Sequence, residues 1–467
     1  MTERRHVVVV GGGISGLATV HRLLRDDPGT RVTLLESAAV LGGKIATADV
    51  AGLTVDTGPD SLLVRLPAVR TLLDELGLAD EVAGPAGSGA FVWTRGALRP
   101  LPPASLFGVP EKLLPLLTTR LVSPLGLARA GADLVLPRTP LPTDPTIADL
   151  LRPRLGDEVF DRLIDPMLGG VHAGRADRLS ARSAVPDVMA ILDGSRSVYL
   201  TMRRREKKPA SGPALVSMPG GMGRLRDALA WSIRDADVRT STAVVGLDRD
   251  LDGRWLVRTD AEQLVADDVV VTAPAYAAAD LLGPIAPEAA QALRGIEYVG
   301  VATVMLAYDR ADVDHALTGT GFLVPPVDHR LLVGCSWLTS KWGHLAQDGT
   351  VVIRAMVGRD GDDRFASYDD GALVAAIERE LAESTGVVGS PTQVHVQRWP
   401  AAMPQYTVGH AARLARIDAA LAGTPGLHLT GAAYRGVGLA GCISQAARTA
   451  AAVRTRTNAP DTTTAAR

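Results

Sequence analysis

The chain opens with an unbroken apolar run, His6 to Val10 (HVVVV), whose β-branched residues suit a strand buried on both faces. From Ile14 to Arg25 apolar positions recur at helical spacing, and RVTLLE (Arg31 to Glu36) reads as a second buried strand. The opening segment therefore predicts a βαβ unit. Pro67 to Leu76 predicts a helix stopped by Gly77. Over residues 84–213 prolines recur, helical periodicity runs through EKLLPLLTTRLVSPLGLARAGADLVL, and TMRRREKKPASGP is charged and rich in breakers. That texture predicts a mostly helical insertion ending in a mobile loop. Strands at Ser241–Leu247 and Arg254–Arg258 flank the hairpin signal Asp252-Gly253, and ADDVVVTAPA carries a buried strand ending at Pro274. Residues 280–394 alternate strands with a helix at Gly371–Glu383, as an antiparallel sheet with helical cover would. A strand at Gly426–Thr430 and a last helix follow, then a polar tail over 456–467 predicted to be disordered.

Composition narrows the function classes. With 467 residues, 46% hydrophobic and 21% charged, the chain has material for two or three domains. A formal net charge of -2 provides no basic field for a nucleic-acid backbone, so nucleic acid is not expected as a partner. Cys335 and Cys442 form no C-x-x-C pair and no Cys/His cluster, which fits a reducing compartment and no metal; the cytoplasm is the expected location. No apolar run reaches the roughly 18 residues of a membrane span, and the start enters a strand without a signal-peptide core. Membrane contact is at most peripheral, through the insertion. The basic run Arg203–Lys208 reads as a solvated loop rather than a headgroup site.

The chemistry begins at GGGISG. Gly11, Gly13 and Gly16 have the spacing G-x-G-x-x-G directly after a strand and at the start of a helix, where glycines permit a tight turn and close approach of a pyrophosphate to backbone N–H groups. Glu36 stands twenty residues past Gly16 at the end of the second strand, placed to accept ribose hydroxyls and to disfavour a 2′-phosphate. FAD and NAD remain. Gly42, Gly43 and Lys44 form a second glycine turn shortly after Glu36, and E-x5-G-G-[RK] resembles the extended fingerprint of the flavin-containing amine oxidase superfamily, which favours non-covalent FAD. A further turn near the carboxyl end, in LTGAAYRGVGLAGCI, presents Gly436, Gly438 and Gly441 at a helix start. Free amides there would suit the negative charge of a reduced flavin near its N1 and C2 carbonyl. Cys442 reads as a small buried residue, not a covalent flavin link. The expected fold is multi-domain α/β: a Rossmann-type FAD domain discontinuous in sequence (1–83, 214–279, 395–455), a mixed-sheet substrate domain (280–394) and the helical insertion (84–213).

VVVVGGGISGLA, LGGKIAT, DTGPDSLLVR, SMPGGMGRL, QRWPAAMPQYTVGH and LTGAAYRGVGLAGCI together resemble the porphyrinogen oxidases of haem biosynthesis, in family order along nearly the whole chain. The resemblance implies oxidation of a porphyrinogen to a porphyrin, six electrons in three flavin cycles, with dioxygen as acceptor and hydrogen peroxide as product. TGPDSLLVR and YRGVG lie closer to the branch acting on coproporphyrinogen III than to that acting on protoporphyrinogen IX. Hand-over of product to a ferrochelatase is the partner this implies. No G-x-S-x-G, H-E-x-x-H or P-loop is present, and hydride loss to a flavin needs none. An amine oxidase and a flavin-dependent sugar mutase are the rival chemistries.

The same resemblance assigns residues. Gly11, Gly12, Gly13, Ile14, Ser15, Gly16, Glu36, Gly43 and Lys44 would meet the dinucleotide, with Val244 offering backbone to the adenine. Gly58, Pro59, Asp60, Ser61, Trp399, Gly431, Val437, Gly438 and Leu439 complete the cofactor set. Met356, in IRAMVGR where the coproporphyrinogen branch often carries Tyr, would line the macrocycle slot. Arg65, Arg95 and Arg175 are the candidates for the substrate propionates. No catalytic base is assigned.

Overall fold

The computed structural model describes residues 4–102, 105–106, 108–110, 112, 114–138, 140–204 and 212–457. Beyond Arg204, the run Arg203–Lys208 lies outside the described residues, as does the tail after Thr457. The opening residues form β1 (His6–Val10), α1 (Ile14–Asp26) and β2 (Arg31–Leu35). Three strands from far along the chain join them: β3 (Asp237–Arg239), β4 (Asp268–Val271) and β5 (Leu427–Leu429), the last leading into α2 (Leu439–Thr457). The sheet order is β3-β2-β1-β4-β5, parallel throughout.

The valine run of β1 has a simple cause. Val7 and Val9 enter a core shared with Leu17 of α1, Leu225 and Ile443, whereas Val8 and Val10 enter a second core with Leu247, Trp255 and Leu282. Side chains alternate across a strand, so a strand covered on both faces has no place for a polar residue. Each buried valine contributes about 1.5–3 kcal/mol.

A seven-stranded sheet forms the second layer. Its order is Gln393–Pro404, Tyr298–Asp309, Thr350–Val357, Leu332–Trp337, Gly321–Leu323, Phe91–Thr94, Ala97–Pro100. All neighbours are antiparallel except Gly321–Leu323 with Phe91–Thr94. The sequence-based divisions differ from this arrangement at two points. Phe91–Pro100, assigned to the helical insertion, is a hairpin of the sheet, because alternating Phe91 and Trp93 pack into its core around Trp337 and Phe322. The division at 394/395 falls inside the strand Gln393–Pro404, which pairs along Tyr298–Asp309. Helices between Leu114 and Arg204 then build a separate core around Leu151, Phe160 and Leu163. Among the described residues no helix is long and apolar enough to cross a membrane.

Candidate functional site

The sheet of β1 brings together two glycine turns that lie more than four hundred residues apart. At the first, Gly11 (φ +106°) donates its N–H to Leu35 O at 2.8 Å and turns the chain off β1. A Cβ on Gly16 would stand 1.9 Å from Gly11 O, so only glycine lets α1 pack this closely on the strand end. Gly42 (φ +116°) donates to Gly12 O at 2.9 Å, which fastens the Gly42-Gly43-Lys44 turn onto the first. Glu36 braces the same place: one carboxylate oxygen accepts from Gly12 N at 2.6 Å, the other from Ala38 N at 2.7 Å. Ser241 N and Thr242 N donate to Ala38 O and Glu36 O at 2.9 and 2.8 Å, which ties the segment leading to Val244 to the end of β2. The start of α1 has neither a side-chain cap nor an acidic residue in its first turn, which leaves a helix N-terminus suited to an anion.

The second turn leaves β5 through Thr430 and Gly431 (φ +143°) and enters α2 after Gly436 (φ +136°). Gly436 and Gly441 are pressed together, a Cβ on either falling within 3 Å of the other's backbone. Gly438 is the opposite case: its Cβ would meet nothing within 4 Å, so that face is an open cradle. The two turns adjoin, since a Cβ on Gly431 would lie 3.9 Å from Ser15 Oγ. Cys442 is buried and burial raises its thiol pKa.

Between the turns and the large sheet runs the loop Asp56–Ser61. Gly58 passes so close to the Lys44 carbonyl that a Cβ would stand 1.9 Å from it. Trp399 Nε1 and Thr303 Oγ1 both donate to Thr57 O, at 3.2 and 2.7 Å, and Arg354 Nη2 donates to Gly58 O at 2.5 Å. Burial alone would raise the Asp60 carboxyl; Lys341 at 2.7 Å and Arg354 at 3.8 Å more than reverse this and hold it well below the usual range. Asp56 is pushed up to about 7, first by burial and then by the charge of Asp60, although both its oxygens accept from Met222 N. Lys341 and Arg354 outnumber the Asp60 carboxylate, and Lys44 is exposed with no ion pair among the described residues. The Lys341–Arg354 side of the cleft thus carries a surplus positive charge in a chain of slightly negative net charge.

A polar, anionic ligand fits this cleft. Thr57 Oγ1, Thr430 Oγ1 and Arg354 Nε are buried without a hydrogen-bond partner among the described residues, and each flanks one of the turns or the loop between them. Buried orphans also occur elsewhere among the described residues, Tyr308 Oη and Tyr434 Oη among them, so the fit rests on the open cradle at Gly438 and on the Lys341 and Arg354 cations.

The substrate candidates scatter. Met356 is half-buried, paired with Thr303, and its Cε would lie 3.1 Å from a Cβ on Gly334 of the next strand. Arg65 follows the loop, exposed and without an ion pair among the described residues. Arg95 is held by Glu158 at a hairpin tip, three strands from Met356, or about 14 Å across the sheet. Arg175 is exposed and chelated by Asp177 at 2.5 and 3.0 Å. Thr303, Lys341 and Arg354 are brought to the cleft without having been picked from the sequence. For Arg354 a signal existed: it is the one charge inside the buried run VVIRAMV.

Known proteins sort the chemistry. The model of the family described as flavin containing amine oxidoreductase matches residues 14–454. The chain belongs to this family. It is 32% identical over 455 residues to the coproporphyrinogen III oxidase of Bacillus subtilis (strain 168), covering 95% of this chain and 96% of that one. It is 35% identical over 460 residues to the coproporphyrinogen III oxidase of Mycobacterium tuberculosis (strain ATCC 25618 / H37Rv), covering 97% and 98%. A crystal structure from Exiguobacterium sp. 255-15, of a protein provisionally described as a protoporphyrinogen oxidase, superposes with a TM-score of 0.87 at 31% identity and covers 98% of this chain and 100% of that one. As a flavin containing amine oxidoreductase, the protein is a multi-domain α/β flavoenzyme.

Proposed function

We propose that this protein oxidises coproporphyrinogen III to coproporphyrin III in haem biosynthesis, in the cytoplasm, using FAD held without a covalent bond. The observation that carries the reading is the meeting of two glycine-lined helix starts, those of α1 and α2, beside the Lys341 and Arg354 cations. FAD bound there supplies a hydride acceptor for the methylene bridges of the porphyrinogen, six electrons being removed in all and passed to dioxygen to give hydrogen peroxide.

The residues divide the work. Amides around Gly11, Gly12, Gly13, Ile14, Ser15 and Gly16 take the pyrophosphate, with Glu36 and Val244 toward the adenosine. Gly43 and Lys44 continue along the dinucleotide, and Gly58, Pro59, Asp60, Ser61 and Trp399 border its ring. Gly431, Val437, Gly438 and Leu439 bring backbone amides to the edge of the ring where charge develops on reduction. Met356 borders the slot for the macrocycle. Arg65, the candidate arginine with no carboxylate of its own, is the first choice for a propionate, ahead of Arg95 and Arg175, whose charges are already paired.

A second reading keeps the chemistry and takes protoporphyrinogen IX, as the description of the Exiguobacterium relative suggests. Four propionates against two separate the substrates. Steady-state oxidation of both by the yellow purified protein decides: kcat/KM at least tenfold higher for coproporphyrinogen III is expected, the reverse ratio assigns the second reading, and oxidation of neither defeats both. In the same assay Arg65→Ala should raise KM with kcat nearly unchanged, since it removes binding common to ground and transition states.

A further inference from the structure

Free amides at the carboxyl-terminal turn are useful to a ligand only if they are aimed, and the backbone does little of the aiming. Across Thr430–Gly438 the backbone–backbone bonds are Thr430 N to Val271 O, Tyr434 N to Gly431 O and Cys442 N to Gly438 O, which leave the peptides around Gly436 ungripped. Two side chains grip them instead. The Tyr406 hydroxyl accepts from Gly436 N at 2.9 Å and donates to Ala432 O at 2.7 Å, tying the two limbs of the turn together. Gln445 accepts from Arg435 N at 3.0 Å and donates from its amide nitrogen to Gly436 O at 3.1 Å and Gly441 O at 3.2 Å.

The consequence follows from peptide planarity. Gly436 C=O and Val437 N–H belong to one trans peptide and point in opposite directions. By holding the carbonyl, Gln445 turns the Val437 N–H away from itself, and that N–H forms no hydrogen bond among the described residues. Tyr406 fixes the preceding peptide in the same way. Its own freedom is small: the ring is buried, it stacks on His410 with centroids 4.1 Å apart and planes 14° apart, and His410 is bonded to Tyr434 O at 3.0 Å. Burial pushes the Tyr406 hydroxyl far above its ordinary pKa, so it stays a neutral group that both donates and accepts.

We propose that Tyr406, with Gln445, is a positioning residue for flavin reduction: it presents the Val437–Leu439 amides to the ring and so sets the redox potential of the bound cofactor. This rests on the FAD reading above. Amide donors stabilise the reduced, negatively charged ring more than the oxidised one, so slackening them should weaken binding and lower the potential together.

The test pairs Tyr406→Phe with Tyr434→Phe. Tyr434 lies in the same turn and is equally buried, but its hydroxyl has no partner among the described residues. FAD affinity of the apoprotein is read by quenching of flavin fluorescence, the potential by spectroelectrochemistry, and apoprotein stability by urea unfolding. Tyr406→Phe should lose about tenfold in FAD affinity, and a tenfold weaker preference for the reduced form is a potential about 30 mV more negative. Tyr434→Phe should match the wild type in both. Gln445→Met is expected to repeat the Tyr406→Phe signature, and it carries the test if Tyr406→Phe does not fold. Wild-type affinity and potential in Tyr406→Phe and Gln445→Met, or a loss of apoprotein stability with the potential unmoved, overturns the inference and leaves the FAD reading intact. A wild-type protein that binds no FAD overturns both.

Discussion

The two glycine turns leave strands two places apart on one sheet, about 10 Å, meet where Gly431 approaches Ser15, and are fixed by contrasting means. The amino-terminal turn is held mainly by backbone, Gly11 to Leu35 and Gly42 to Gly12 with Gly16 jammed against Gly11, and Glu36 adds one side-chain bond, accepting from Gly12 N. The carboxyl-terminal turn is held by side chains, Tyr406 from thirty residues upstream and Gln445 from the helix that follows. A turn fixed by backbone must obey a glycine spacing. One fixed by side chains can vary its spacing as long as the distant clamps persist.

Substituting a glycine in each turn should break the two in different ways. Gly16→Val is the largest expected effect. Its Cβ falls 1.9 Å from a backbone oxygen that cannot retreat without undoing the β1–α1 junction, so little soluble protein is expected and what is recovered should be colourless. Native-like yield and yellow colour in Gly16→Val would show that the junction is far softer than its geometry. Gly438→Val should instead fold normally, because its side chain enters open space, and lose FAD affinity by about a hundredfold, or about 2.7 kcal/mol. Far-UV circular dichroism, urea unfolding and flavin titration separate the outcomes; full cofactor occupancy would remove Gly438 from the cradle.

That contrast also accounts for how much was legible in the sequence. GGGISG, Glu36 and LGGK could be read because their requirements are local: a strand end, a tight turn and a carboxylate a fixed distance on. The two-sided burial of β1, the return of β4 to its sheet and the presence of β5 as a strand were legible from apolar runs. Phe91–Pro100 was misplaced because a short hairpin between prolines looks the same whether it caps a helical domain or edges a sheet; pairing with Gly321–Leu323, more than two hundred residues later, decides it. Lys341 was missed for the same reason, since its value lies in meeting Asp60 across the fold, whereas Arg354 stood out as the lone charge in a buried run but had no partner legible nearby. Tyr406 sat inside a motif already singled out, but nothing local reveals that its hydroxyl reaches Gly436.

The amino-terminal turn also rests on a titratable support. Asp56 accepts from the first amides of helix Gly221–Ser232, whose Arg226 packs over Gly42. Its folded pKa is raised from 3.8 to about 7, so between these values the folded protein holds a proton that the unfolded chain releases. Stability from this group is therefore full below about pH 4 and is lost as pH rises through 7. Asp56→Asn should flatten that part of the curve. The difference in unfolding free energy between variant and wild type should change by about 3 kcal/mol between pH 4.5 and 7.5. His172, depressed to about 4 by burial, titrates in the opposite sense over part of this window, and taking the difference cancels it. Parallel curves would place the proton elsewhere.

The smallest effect sharpens the comparison most. Thr272 Oγ1 donates to Val10 O at 3.0 Å and Gly11 O at 2.9 Å, a side-chain addition to a turn that the backbone already holds. Val10 O keeps its bond from Thr272 N at 2.8 Å when the hydroxyl is removed. Thr272→Val should therefore lower stability by about 1 kcal/mol, the net worth of one such hydrogen bond, and leave FAD affinity within about twofold of wild type. Tyr406→Phe removes one hydroxyl too, yet is expected to act mainly on the cofactor. Each variant should thus register in the measurement that the other leaves nearly unmoved, with urea unfolding reporting one and flavin titration the other. If Thr272→Val weakened FAD as much as Tyr406→Phe does, the amino-terminal turn would also depend on side chains for its aim, and the distinction between the two would disappear.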